Sequence, residues 1–213
     1  MTDRRAAGPR IAVVAGSPRA RSYSARLAGH VAGLLRDPLG APVVETIDLG
    51  RAEIPPWSED FDRGPRQAID SWCPVSATLS RSDGFVVVVP EWSGMAPPGL
   101  KNLFLLCDGT FELADKPALL VGVSSGSGGA SPLAELRMSS YKNTRICYIP
   151  EQVIVRDVET LFDGDAFVES PEAKRLEAQL VHALGLLLSY AEALTLVRNS
   201  GARDVVGFQW NMS

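Results

Sequence analysis

Three short segments of the chain combine residue types that could hold an anion or a flat ligand. The first, GSPRARSYS over residues 16–24, brings the hydroxyls of Ser17, Ser22 and Ser24 and the guanidinium of Arg19 to the point where an apolar run turns helical. Backbone N–H groups at a helix start carry roughly +0.5 of a charge. With those side chains they could hold one phosphate dianion through charge-assisted hydrogen bonds. The same residues also read as a helix cap, by Ser22 or Ser24, with arginines on the surface. The segment matches neither G-x-x-x-x-G-K-[ST] nor G-x-G-x-x-G, so it is neither a nucleoside-triphosphate loop nor a dinucleotide fingerprint.

The second segment, PEWSGMAPPGLKN from residue 90, follows four consecutive valines. Trp92 is a large aromatic at a strand end, where a pocket would open, and Gly94 lets backbone approach a flat ligand closely. A proline-rich turn with Trp92 packed on the surface is the plainer alternative. The third, SSGSGGASP from residue 124, is permissive backbone ahead of a helix. It could present N–H groups to a carbonyl or an anion, or serve as a flexible connection.

These segments need elements to position them. RIAVVAG (10–16), VVETIDL (43–49), GFVVVVPEWSG (84–94), KPALLVGVSS (116–125) and RICYIPEQVIV (145–155) read as strands. The valine run shows no alternation, which predicts a strand buried on both faces. Helices are predicted over 22–36, 69–83 (with Pro74 near its start), 98–108, 131–141 and 170–194, the last opened by Ser170–Pro171. Residues 53–65 read as a long irregular loop. Strand–helix alternation predicts an α/β fold, a doubly wound five-stranded parallel sheet with helices on both faces. Ligands of such sheets bind beyond the carboxyl ends of the strands, where strand order reverses. All three unusual segments lie at predicted strand ends, so one shared site is the economical reading.

The three segments together resemble the NADPH-dependent FMN reductase family, which has a flavodoxin-like fold. GSPRARSYSARLA resembles its G-S-x-R-x-x-S phosphate loop, PEWSGMAPPGLKN its P-E-Y-N-G-S-x-P-G-x-L-K-N segment, and SSGSGG its third, glycine-rich loop. The likeness covers roughly residues 10–195, with the motifs in order. It implies bound FMN, with Ser17, Arg19, Ser22 and Ser24 on the phosphate. Pro90, Glu91, Trp92, Ser93 and Gly94 would wrap the ribityl chain and isoalloxazine. Ser124, Gly126, Gly128 and Gly129 would approach the pyrimidine end. It further implies hydride transfer from NADPH or NADH through FMN to a small acceptor: a quinone, an azo or nitro compound, a metal oxyanion or free flavin. Trp92 stands where the family has Tyr, Ser93 where it has Asn, Met95 for a small polar residue and Pro98 for Gly, which predicts a reshaped isoalloxazine pocket.

Composition narrows the alternatives. The 213 residues suit one domain, and a net charge of −4 lacks the basic face of a nucleic-acid binder. An arginine-bearing first loop and this mild charge disfavour a flavodoxin-type electron carrier; a flavin-free regulatory protein of the same fold is the other rival. Cys73, Cys107 and Cys147 read as buried free thiols, consistent with a cytoplasmic protein. No uninterrupted apolar run reaches about 18 residues, and MTDRRAAGPR does not read as a signal peptide. His30 and His182 fall within helices far from the three segments. Asp48, Glu91 and Asp108 form no recognisable catalytic pair, and metal-ligand spacing is absent. Residues 1–9 read as a tail and 196–213 as an extension in which Phe208 and Trp210 could dock across a dimer. Helix 170–194 is apolar over more than one stripe (Leu176, Leu180, Val181, Leu184, Leu186, Leu187, Leu188, Leu194), which predicts that it also covers a partner subunit in a homodimer or homotetramer.

Overall fold

A computed structural model describes residues 8–64, 69–107 and 111–201. Five strands, β1 (Arg10–Ala15), β2 (Val43–Asp48), β3 (Gly84–Pro90), β4 (Pro117–Val123) and β5 (Cys147–Val155), form one parallel sheet in the order β2-β1-β3-β4-β5. β3 and β4 are buried at every residue. The continuous valine run is still divided by the pleat. Val86 and Val88 face the layer of α1 (Tyr23–Arg36) and α6 (Pro171–Asn199), while Phe85, Val87 and Val89 face α3 (Cys73–Arg81), α4 (Pro98–Leu106) and α5 (Ser131–Ser139). Strand order reverses between β1 and β3, which places the crevice of such a sheet there.

The structure departs from expectation in the connections. The loop at 53–65 contains a short helix, α2 (Glu59–Arg63). Ser58 caps it by accepting the Phe61 N–H at 3.1 Å, Glu59 and Asp60 complement its first turn, and Phe61 buries edge-on against Trp72. The helix predicted from residue 69 begins at Cys73, with Pro74 in its first turn. Between β5 and α6 a 3-10 turn (Val158–Leu161) leads into a hairpin of β6 (Phe162–Asp163) and β7 (Ala166–Phe167). The hairpin braces α1: Phe167 stacks on His30 at 3.9 Å and Arg26 pairs with Asp165 at 3.0 Å.

α6 runs five residues beyond the predicted end, so a boundary at 195 falls inside a helix. By length and composition α6 meets the measure of a membrane span, which a search for uninterrupted apolar runs does not register. Its stripe of Leu176, Leu180, Leu184 and Leu187 is nonetheless buried on its own sheet, and Val181 and Leu188 pack beside it. Tyr190, Leu196 and Val197 are what it leaves exposed. Its far end is tied down by Arg198, which pairs with Asp83 at 3.1 Å and donates to the Asp115 carbonyl. Of the cysteines, Cys107 is buried, whereas Cys73 and Cys147 are only half-buried. None of the three is in a disulfide. Phe208, Trp210 and Asp108 lie outside the described residues.

Arginines bind carbonyls of both outer strands. Arg36 donates to the Val44 carbonyl of β2 at 2.9 Å. Arg137 donates to three consecutive carbonyls of β5, Ile149, Pro150 and Glu151, at 2.8, 3.5 and 3.3 Å.

Candidate functional site

Because the sheet is parallel, the segments after β1, β3 and β4 emerge on one edge, at the reversal of strand order. The first loop, residues 16–22, leaves β1 and enters α1. Ser17 and Ser24 are each only 2% exposed. The Ser22 hydroxyl accepts the Ala25 N–H at 3.1 Å and is the helix N-cap, so one of the two readings of this serine is observed directly. A cap oxygen keeps its O–H free to donate. Among the described residues, no acceptor in the protein takes the N–H groups of Tyr23 and Ser24 or bonds the Ser24 hydroxyl. These are the orphan donors that every helix start must satisfy somehow. Arg19 lies exposed, its guanidinium carbon 5.1 Å from the centre of the Trp92 ring, within cation–π reach.

The second loop, from Glu91 to Pro97, turns sharply. The Trp92 and Met95 backbones exchange two hydrogen bonds of 2.9 Å around Ser93 and Gly94, whose φ values are 50° and 80°. Positive φ at both central residues defines a type I′ turn, in which Asn-Gly is preferred. Ser93 thus sits in backbone geometry that suits asparagine. Trp92 is half-buried and the turn tip is exposed. Pro90 is the buried last residue of β3. Glu135 of α5 braces this loop, accepting the Ala96 N–H at 2.7 Å and pairing with Lys101 at 2.9 Å. Burial alone would raise the Glu135 carboxyl, but the Ala96 N–H and the Lys101 ammonium outweigh it and hold it below its ordinary value. Asn102 of α4 ties down the segment before α2, donating to the Pro55 carbonyl and accepting the Trp57 N–H at 2.7 Å.

The third loop, residues 124–130, is fastened on every side. Ser124 donates its N–H to Val155, and its carbonyl accepts from Val158. The Gly126 N–H bonds the Ser124 hydroxyl at 3.2 Å, and the Gly126 carbonyl accepts from Asp157. Arg156 donates to the Ser127 carbonyl at 2.7 Å. The Gly129 N–H donates to the Glu91 carboxylate. Among the described residues, the N–H groups left without a protein acceptor here belong to Ser125, Ser127, Gly128 and Ala130. Of the glycines predicted to approach a ligand, Gly126 and Gly129 therefore already have their donors engaged within the protein.

The three predicted segments lie along one edge of the sheet, and Glu135, Asn102 and Arg156, which the sequence does not single out, fasten them or the segment beside them through contacts distant in the chain. His30 and His182 stay away from the edge. His30 is packed between Phe167 and Glu177, and burial lowers its pKa against the opposing effect of Glu177. Among the described residues no group of three potential metal ligands occurs.

The family profile described as NADPH-dependent FMN reductase matches residues 9–160. A 2-hydroxy-1,4-benzoquinone reductase of a Burkholderia species is 26% identical over 171 residues, covering 78% of this chain and 88% of that protein. A quinone reductase of Pseudomonas putida is 29% identical over 173 residues, covering 79% and 89%. Among solved structures, the flavoenzyme NAD(P)H:(acceptor) oxidoreductase FerB of Paracoccus denitrificans superposes with a TM-score of 0.68 at 21% identity, covering 87% of this chain and 98% of its own. A flavodoxin-type, WrbA-like protein of Agrobacterium tumefaciens gives 0.56 at 15% identity, covering 87% and 99%. The structural likenesses establish the flavodoxin-like fold, and the profile match across 9–160 establishes the lineage. With an anion-ready helix start at the reversal point of the sheet, the chain belongs to the NADPH-dependent FMN reductase family, flavin-dependent oxidoreductases that draw their electrons from NAD(P)H.

Proposed function

We propose that this chain is an NAD(P)H:acceptor oxidoreductase whose acceptor is a quinone, with the FMN phosphate held at the start of α1. The observation that carries the reading is the set of unengaged donors there. Among the described residues the Tyr23 and Ser24 N–H groups have no acceptor, and the nearly buried Ser17 of the loop and Ser24 of the first helical turn stand beside them. That donor set fits a phosphate dianion in number and kind, and Arg19 and Arg21 add charge. Pro90 to Gly94 would hold the ribityl chain and ring, and the Ser127 and Gly128 N–H groups would face the pyrimidine end, joined by Ser124 and Gly126 as its floor.

Bound FMN supplies the two-electron chemistry. What the chain supplies is position and exclusion. The first loop fixes the phosphate, and the half-buried Trp92 offers a flat face beside Arg19, suited to a planar quinone. The carboxylates nearest the loops, Glu91 and Glu135, are both engaged by backbone N–H groups. Neither histidine is at the edge, so neither these carboxylates nor the histidines are poised as a general acid or base. The quinone assignment is further supported by the two curated relatives, each named for quinone reduction. The exposed Tyr190, Leu196 and Val197 of α6 support self-association, and light scattering that gives only monomer at micromolar concentration would remove that part.

The experiment is anaerobic titration of the purified, FMN-loaded protein with NADPH, followed by benzoquinone. Rapid bleaching and rapid reoxidation are expected; bound flavin that NADPH leaves oxidised would overturn the reading. Ser17→Ala combined with Arg19→Ala should weaken FMN binding roughly a hundredfold, since each charge-assisted bond is worth about 1.5–3 kcal/mol. Unchanged retention would dismiss the phosphate assignment.

A further inference from the structure

Glu91 is the first residue after β3, and its backbone N–H donates to the Val123 carbonyl at 2.9 Å. Its side chain then crosses to the third loop and accepts the Gly129 N–H. The carboxylate lies flat against Gly128: a Cβ built there would fall 2.5 Å from Oε2, 2.9 Å from Cδ and 3.0 Å from Oε1. Apart from the chain neighbours, no other described atom comes nearer to that position, and the φ of Gly128 is not in the left-handed region. Gly128 is therefore glycine for room, and the room is taken by Glu91. Gly129, at a φ of 97°, turns its N–H toward the same carboxylate. A charge-assisted bond to a half-buried carboxylate is a strong fastening for a loop that is otherwise glycine and serine.

We infer that Glu91 is a positioning residue: its carboxylate does not hold the cofactor but fixes the third loop at the register in which the remaining Ser127 and Gly128 donors meet a ligand. The flavin half of this inference rests on the site proposed above. The loop half does not, because the contact exists within the chain itself. Glu91 and Gly128 form one device, and either residue can break it.

The test uses the full-length protein as Glu91→Ala, Glu91→Gln, Gly128→Ala and the Glu91→Ala/Gly128→Ala double variant. Hydrogen exchange over residues 124–130 of the apoprotein reads the tether without flavin. Glu91→Ala and Gly128→Ala should each speed exchange there at least tenfold, a rough figure for loss of a charged hydrogen bond. Glu91→Gln, which still offers an acceptor oxygen, should recover most of the protection. Fluorescence titration with FMN and the midpoint potential of the bound flavin read the consequence at the site. Both alanine variants should weaken FMN binding about tenfold and shift the potential in the same direction. The double variant should be no worse than the worse single, because one contact cannot be lost twice. If Glu91→Ala fails to fold, Gly128→Ala carries the same information, since its methyl group displaces only the end of a flexible side chain. Exchange unchanged in both alanine variants overturns the tether. Faster exchange with FMN affinity and potential unmoved overturns the positioning role. Wild-type protein that binds no FMN would instead sink the site reading, leaving the exchange result to stand.

Discussion

The first and third loops leave the same edge of the sheet, and both are built from glycine and serine. The first leaves donors open at a helix start: among the described residues, no acceptor takes the Tyr23 and Ser24 N–H groups. The third also leaves N–H groups open, but it is clamped from outside by Glu91, Arg156 and the segment after β5. The difference teaches that a donor-rich loop can be an open helix start or a wall held by distant partners, and that composition alone does not separate the two. Mutations in the wall should cost order or stability as well as cofactor, whereas mutations at the helix start should cost cofactor alone.

The largest effect should come from the wall. A Cβ at Gly122 of β4 would run into the Gly129 carbonyl, which is backbone and cannot swing aside. Gly122→Ala should destabilise the apoprotein by about 3 kcal/mol, the upper end for overpacking, readable in urea unfolding. An unchanged midpoint would show that the third loop is not packed as described. The next effect belongs to the first loop. Ser22→Asp keeps a good N-cap and adds a charge that favours the helix start. Apoprotein stability should hold or rise slightly, while FMN affinity drops at least tenfold, about 1.4 kcal/mol, through repulsion of the phosphate. Equal affinity would move the phosphate elsewhere.

Smaller effects sharpen the contrast. Ser93→Asn suits the left-handed φ of 50° in the Trp92–Met95 turn. It should raise the thermal midpoint by about 1–2 °C for roughly 0.5 kcal/mol, and a falling midpoint would contradict the turn. The smallest involves neither loop. Burial lowers the His30 pKa in the fold below its ordinary value of 6.5. On acidification the unfolded chain therefore binds a proton first. Stability should be full above about pH 6.5 and decline as pH falls from there toward the folded value. His30→Phe should flatten that decline in denaturation curves taken across this window, with FMN affinity unaffected.

The five strands were readable because buried β-branched runs such as Val86–Val89 leave little alternative, and the helix starts because Ser22 and Ser170 are strong caps. The three loops that share one edge of the sheet were readable from their residue types. Two local features went unread although their signals were present. Ser58 followed by acids marks the start of α2, and the Gly164–Asp165 pair, with Gly164 at a φ of 59°, marks the turn of the β6–β7 hairpin. The end of α6 was placed too early although no Gly or Pro stands between Leu194 and Gly201. What the sequence could not carry was partnership across distance. Glu91 with Gly129, Glu135 with Ala96 and Asn102 with Trp57 join residues 38 to 45 positions apart, and nothing in local pattern selects those pairs.

The arginines along β2 and β5 have a meaning for growth between molecules. An incoming strand needs the free carbonyls and N–H groups at a sheet margin to extend the ladder. Arg36 occupies an outward carbonyl of β2. Arg137 instead gathers three consecutive carbonyls where the β4–β5 register shifts, so it pins a bulge that interrupts the β5 ladder, and Pro150 there removes an N–H. Both margins thus offer an incoming strand a broken template.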